Sequence, residues 1–304
     1  MAFAVIKEKI MKKSKILVPA LGILVLSTAA SITGTVAWFT AANIVNVSGF
    51  KMMAQAEDGI VIANETHTAA EHWLTTVTAS HNGQISSSQA GFIPTSSANL
   101  TTWYHSNSAS ANDHTASSGY TSYTGDAITE NGSGTGVYQI EYSTGNYKNI
   151  YLLNKFYLQS SSPSAIAGQD IYIKDLHVTS ATSNSVALNK ALRIGVLQGS
   201  TFCKIFAPYA PDYAPVAPAT VEYTTTTTYS VAGSTSVTAV TDTSSPVVLV
   251  SNTAIPAYTD AGTNALEFSF FAYFEGEDAN CKSANLVASL DELAVSFVLG
   301  NVAH

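Results

Sequence analysis

Apolar residues occur along this chain in short runs, many of them alternating with polar residues, and stretches rich in serine, threonine, asparagine and glycine separate the runs. Alternation with a period of two predicts β-strands that bury one face. Several such strands in succession, with turn residues between them, predict an all-β fold. The strands predicted in this way lie within residues 43–63, 137–160, 171–178, 188–197, 202–206, 246–250, 266–274 and 293–299.

The spacing of these strands predicts a jelly-roll-like antiparallel β-sandwich with long Ser/Thr-rich loops. Within the first stretch, Asp58-Gly59 separates two apolar runs and predicts a hairpin turn. Residues 266–274, with the sequence LEFSFFAYF, become apolar on both faces toward their end. This pattern predicts a strand at the centre of a sheet.

Two stretches interrupt the predicted strands within what we interpret as a single sandwich domain, residues 39–304. Residues 65–136 predict a loop-rich, surface-displayed insertion, and residues 207–220, APYAPDYAPVAPAT, predict an extended Pro-rich arm. Loops carry recognition more often than cores do, so any ligand contact is expected in the insertion. Its aromatic residues include Trp73, Trp103, Tyr104, Tyr120 and Tyr123.

Residues 1–38 differ in character from everything that follows them. Five lysines and one glutamate precede an apolar run at residues 16–26. Positive charge before an apolar run keeps that end in the cytoplasm, so we expect a hydrophobic helix that is either a cleaved signal peptide or a retained signal-anchor. Small residues suit cleavage near Ala37 or Trp38. If cleavage does not occur, residues 16–38 provide the membrane contact.

The sequence GTVAWFT at residues 34–40 resembles the export junction of TasA/camelysin-type proteins, which are Gram-positive matrix-fibre subunits. The resemblance implies processing by a dedicated signal peptidase and a mature chain that begins at about Phe39. It covers the junction and the strand-like stretch after it. Two later segments, ALRIGV at residues 191–196 and FEGEDANC at residues 274–281, resemble exported Firmicutes proteins with the same junction, and they imply no activity.

In fibres of that type, the N-terminal strand of one subunit inserts into its neighbour. The resemblance therefore makes residues 39–47 the candidate donor strand, called the donor segment below. Its apolar residues are Phe39, Ile44, Val45 and Val47. A donated strand satisfies an open row of backbone groups at a sheet edge. The alternative is that the segment is the first strand of its own sheet.

Composition narrows the classes of function. Charged residues make up 11% of the chain, and the formal net charge is −8. A polar but uncharged surface is typical of exported β-proteins, whereas disordered chains are charged and poor in aromatic residues. Nucleic-acid binding is not expected, because the chain has no basic patch to neutralise phosphates.

The candidate chemistry in the sequence is sparse. Cys203 and Cys281 are compatible with a disulfide, which an exported protein permits, and equally with two buried free thiols. Glu275, Glu277 and Asp278 form the one acidic cluster, which is a weak Ca²⁺ candidate or a solvated turn. No other cofactor is expected.

The seven histidines form no HExxH motif or metal triad, and no GxSxG elbow is present. We therefore expect a protein that is not an enzyme. The sequence favours an exported structural subunit of cell-surface or extracellular filaments that associates with itself. The alternative function is a membrane-anchored adhesin that binds through its aromatic-rich loops.

Overall fold

A computed structural model describes residues 49–64, 69–80, 91–106, 120–133, 135–182, 191–208, 226–231, 235–276 and 292–304. Within these ranges the chain forms strands and two short 3₁₀ turns, Ala70–His72 and Gly125–Ala127, so the predicted all-β class is confirmed. The predicted N-terminal helix lies outside the described residues. The strands are β1 (Phe50–Ala56), β2 (Ile60–Ala63), β3 (Thr76–Ser80), β4 (Trp103–Ser106), β5 (Tyr120–Tyr123), β6 (Ile128–Glu130), β7 (Val137–Ser143), β8 (Asn146–Ser160), β9 (Ile166–Thr182), β10 (Leu192–Gln198), β11 (Thr201–Phe206), β12 (Thr226–Val231), β13 (Thr235–Val240), β14 (Val247–Ile255), β15 (Leu266–Phe274) and β16 (Glu292–Ala303).

Most of the strands form two sheets that face each other. The five-stranded sheet has the order β14-β9-β16-β1-β3. The nine-stranded sheet has the order β12-β13-β11-β10-β15-β8-β7-β6, and β2 pairs with β8 beside this path. Strands β4 and β5 form a separate hairpin. The arrangement is that of a sandwich.

Apolar residues from both sheets meet in the main core, which lies between them. Phe297 of the five-stranded sheet stacks on Phe270 of the nine-stranded sheet, with ring centroids 4.7 Å apart. The ring of Phe156 meets both of these rings edge-on, at 5.4 and 5.7 Å. Inward-facing side chains that alternate along each strand account for this core. Other large members are Phe50, Met52, Phe268 and Ile60.

A second core covers the outer face of the nine-stranded sheet. Trp103, from the stretch predicted as a surface insertion, packs against Tyr151 at 4.6 Å and against Tyr273 at 4.9 Å. Trp103 is 1% exposed and Trp73 is 6% exposed. The prediction that this stretch is displayed at the surface is therefore wrong for its tryptophans. Strand β3, which falls in the same stretch, belongs to the five-stranded sheet.

The prediction of antiparallel pairing is correct for most neighbours and wrong for two. Strand β1 runs parallel to β16, from Phe50 opposite Leu293 to Ala56 opposite Leu299. Strands β11 and β13 are also parallel where they meet. Both sheets are therefore mixed. In the five-stranded sheet, the parallel pair arises because β16, the last described strand, runs in the same direction as β1, the first.

The predicted hairpin at Asp58-Gly59 is also wrong. A turn does form there, with Gly59 at φ +92°, but β1 pairs with β16 and β3 whereas β2 pairs with β8. The turn therefore carries the chain from one sheet to the other. Met52 and Ile62, on the two sides of this turn, are both fully buried in the main core. Turn residues specify a reversal of the chain but not the sheet that the second strand joins.

Candidate functional site

The predicted export and assembly residues lie just before the first described residue. Ala37, Trp38 and the donor segment, with Phe39, Ile44, Val45 and Val47, are all outside the described residues, so both roles stay predictions. The described chain starts at Gly49 and enters β1 at Phe50, whose side chain is buried in the main core. Any segment that precedes Gly49 is therefore connected directly to a core strand.

Strand β1 is held on both sides within the five-stranded sheet. It pairs in parallel with β16 along all of its residues and antiparallel with β3 from Lys51 opposite Ser80 to Gln55 opposite Thr76. Met52 and Ala54 point into the main core. Backbone hydrogen bonds on two sides and buried side chains on one face make β1 a firm point of attachment.

Each of the two sheets has one edge strand that could accept another strand and one that is poorly suited to it. Strand β14 has three register shifts against β9 and a left-handed residue, Asn252 at φ 50°, which makes it a poor template for another strand. Strand β6 has three residues. Strands β3 and β12 are regular, and no strand in the described ranges pairs with their outer sides.

A cluster of polar side chains ties the end of β1 to β9, across β16. Glu57, the residue after β1, forms an ion pair with Lys174 and accepts a hydrogen bond from the hydroxyl of Tyr172. The backbone N–H of Glu57 also donates to the carbonyl of Leu299, at 2.9 Å. We call Glu57, Tyr172 and Lys174 the Glu57 tie.

The protonation equilibria of the Glu57 tie reflect these contacts. Hydrogen bonds from Lys174 and then from Tyr172 lower the pKa of Glu57. Burial and the hydrogen bond to Glu57 raise the pKa of Tyr172 to about 12. The hydrogen bond to Glu57 raises the pKa of Lys174. At neutral pH, the tie therefore consists of a carboxylate, an ammonium group and a neutral phenol.

An open polar groove of about 570 Å³ lies beside the Glu57 tie, and Asp58 and Asp175 also line it. Its lining contains no histidine, serine or cysteine, and its ionisable side chains are three carboxylates and one lysine. Among the described residues, no three His, Cys, Asp or Glu side chains come together as metal ligands would.

Of the three predicted calcium ligands, Glu275 lies within the described residues. Its side chain is 0% exposed and accepts a hydrogen bond from the hydroxyl of Ser96. The backbone N–H of Glu275 donates a hydrogen bond to the carbonyl of Ala191, and the backbone N–H of Thr95 donates one to the carbonyl of Phe274. Glu275 therefore joins the end of β15 to residues 91–106, the segment that contributes Trp103 to the second core. Glu277 and Asp278 are outside the described residues, so the calcium site stays a prediction.

The predicted disulfide is likewise untested. Cys203 lies on β11 at a register shift against β10, and its side chain is partly buried against the main core. Burial raises the pKa of the Cys203 thiol, which makes it less reactive at neutral pH. Cys281 lies outside the described residues. Most of the Pro-rich arm also lies outside them.

Sequence reasoning missed an aromatic cluster around His105. The Nε2 atom of His105 lies 2.8 Å from the hydroxyl of Tyr123, and the imidazole lies against the rings of Tyr123 and Tyr142. His105 is nearly completely buried. The aromatic residues of WYHS at 103–106 and YTSY at 120–123 were the available signal in the sequence, but the surrounding small polar residues obscured them.

Within the described ranges, no helix has the length and apolar character needed to cross a membrane. The sequence matches no protein-family model, and comparisons with curated proteins and with solved structures found no similar protein. The fold and the candidate sites define this protein as an all-β, two-sheet sandwich. Its resemblance to TasA/camelysin-type proteins stays a prediction from the export junction.

Proposed function

We propose that this chain is an exported, non-enzymatic structural subunit that assembles with copies of itself into cell-surface or extracellular matrix filaments. The observation that carries the proposal is the position of β1. The donor segment leads through Gly49 into a strand that is hydrogen-bonded on both sides and buried on one face. A segment attached to β1 can therefore extend away from its own subunit while it remains anchored to a strand that is firmly held.

Composition and architecture support the same function. The low charge content suits an exported β-protein, and the sandwich provides regular sheet edges to which a strand can be added. The jelly-roll-like character of the sandwich belongs to this proposal. It is supported by the way the chain crosses between the sheets, as it does at Asp58-Gly59.

The donor segment of one subunit binds, in this proposal, to the outer edge of β3 in the next subunit. Strand β3 alternates between buried Val77 and exposed Thr76 and Thr78, and its register with β1 is unbroken. Added there, the donor segment extends the sheet that contains β1. The filament then continues through one sheet from subunit to subunit, with backbone hydrogen bonds at each joint.

Export is tested by mass spectrometry of the protein from the cell surface or medium. The proposal expects a mature chain that begins at Trp38 or Phe39. An intact N-terminus that includes residues 16–38 would instead favour a membrane-anchored protein.

Assembly is tested by electron microscopy of the purified mature protein. We expect filaments, and we expect deletion of residues 39–47 to abolish them without changing the unfolding transition of the sandwich. A protein that stays monomeric at high concentration would contradict the filament proposal. Filaments formed by the deletion variant would contradict strand donation.

The acceptor edge is tested by cross-linking between subunits. In a variant with C203S and C281S, V45C is combined with T78C on β3 or, as the matched control, with T228C on β12. A short thiol cross-linker should give a ladder of oligomers with the β3 pair. A ladder with the β12 pair alone would place the acceptor on the opposite sheet.

A further inference from the structure

The first and last described strands of the chain are neighbours that run in the same direction. In the parallel pair of β1 and β16, Phe50 lies opposite Leu293 and Ala56 lies opposite Leu299. The chain enters β1 at the Phe50 end of this pair. It leaves β16 at the other end, through Ala303 to His304.

We propose that β1 and β16 form a mechanical clamp that resists force applied along the chain. Tension between the two ends pulls β1 and β16 in opposite directions along their common axis. The hydrogen bonds between them then lie across the direction of the force and share the load, so they must fail together. If the strands were pulled apart from one end, the same bonds would fail one after another.

Neighbouring strands hold each strand of the clamp on its other side. Strand β3 pairs with the other side of β1, and β9 pairs with the other side of β16 from Glu292 to Ala303. Neither strand of the clamp is an edge strand. Phe50, Met52 and Phe297 are buried in the main core, so sliding would also move apolar side chains out of their packing positions.

The Glu57 tie lies at the C-terminal end of β1. Force applied at the N-terminal end of β1 would pull the C-terminal end along β16, toward Phe50. Glu57 is bonded to Lys174 and Tyr172 on β9, with β16 between them. Movement of β1 toward its N-terminal end must break both of these contacts. The tie therefore adds resistance to the shearing of β1 past β16.

This inference goes beyond the proposed function and does not depend on export or assembly, because it concerns the folded subunit. If the filament proposal is also correct, tension on the donor segment would act on β1, which is one of the two strands of the clamp. Force on the donor segment would pass through Gly49 to Phe50 and into β1. The two ideas can fail separately: a filament can form from a weak subunit, and a monomer can be mechanically strong.

The test is single-molecule force spectroscopy on the full chain with C203S and C281S. Handles at G49C and H304C load the clamp in shear, and handles at G49C and E292C open the same pair from one end. Both variants should have the same thermal unfolding transition as their parent. We expect the rupture force to be several-fold higher in the first geometry. Equal forces in the two geometries would overturn the proposal.

A second comparison isolates the Glu57 tie. E57Q should lower the rupture force in shear and leave the opening force unchanged, because opening starts at the Phe50 end, away from the tie. The matched control is E267Q, which removes the ion pair between Lys155 and Glu267, at 2.9 Å and of similar exposure, away from the clamp. An equal loss of shear force in E57Q and E267Q would overturn the role of the tie.

Discussion

The ring of Tyr172 lies directly over Gly300 on the neighbouring strand. A Cβ atom on Gly300 would stand 2.5 Å from the Cζ and hydroxyl atoms of Tyr172 and 2.5 Å from a carboxylate oxygen of Glu57. An aromatic ring that covers a strand glycine compensates for the packing that the glycine cannot supply. Because Gly300 has no side chain, Tyr172 and Glu57 can come into contact with each other across β16 at this position.

We predict that G300A breaks the Glu57 tie, because the new methyl group displaces the ends of Tyr172 and Glu57. The free energy of unfolding should fall by about 1–3 kcal/mol, as for other overpacked sites. Denaturant unfolding of G300A measures the loss. In a Y172A background, the same substitution should cost much less, since the ring is already absent. An equal cost in both backgrounds would show that Gly300 does not need to accommodate Tyr172.

The Glu57 tie predicts a dependence of stability on pH at both ends of the range. Because the pKa of Glu57 is lowered in the folded state, its contribution is present above the unfolded pKa and is lost as pH falls through the folded pKa. Tyr172 and Lys174 have raised pKa values, so their contribution is present below their unfolded values and is lost as pH rises. For Tyr172, this loss falls between about pH 10 and its folded pKa of about 12.

The measurement is the melting temperature of the wild type minus that of E57Q as a function of pH. We expect this difference to be largest and nearly constant between the two titration ranges, and to shrink at acidic and at strongly alkaline pH. A spectrophotometric titration of tyrosine should show one phenol shift toward lower pH in E57Q. A difference that does not change with pH would mean that Glu57 stabilises the fold without its charge.

The second core predicts that Trp103 is a stability residue and not a binding residue. W103A should reduce the free energy of unfolding by about 3–5 kcal/mol, as truncation of a buried aromatic residue does. The control is L74A, because Leu74 is apolar but 48% exposed and should cost little. Denaturant unfolding compares them. Similar small losses in the two variants would place Trp103 at the surface after all.

The strands were predictable where burial gave a local signal. The apolar run at residues 266–274 coincides with β15, which lies between β10 and β8 and is buried on both faces, as predicted. Trp103 was misplaced for the opposite reason. Small polar residues surround it, and its partners Tyr151 and Tyr273 are far away in sequence.

The pairing of strands was less predictable than their existence. Neighbouring residues determine that the chain turns at Gly59, but the position of β1 beside β16 depends on contacts between residues from opposite ends of the chain. The Glu57 tie has the same origin, since Glu57, Tyr172 and Gly300 are distant in sequence. No local pattern identifies such a site before the strand order is known.

Glu275 was predicted as a calcium ligand, and its buried contact with Ser96 leads to a different prediction. E275A should lower the free energy of unfolding by about 1–3 kcal/mol, because it leaves the buried hydroxyl of Ser96 without this acceptor. The loss should be the same in Ca²⁺ and in EDTA, and the control E277A should not reproduce it. Thermal unfolding of all three proteins in both buffers is the measurement. If Ca²⁺ stabilises the wild type but not E275A, then Glu275 is a calcium ligand and its role in joining β15 to the second core is secondary.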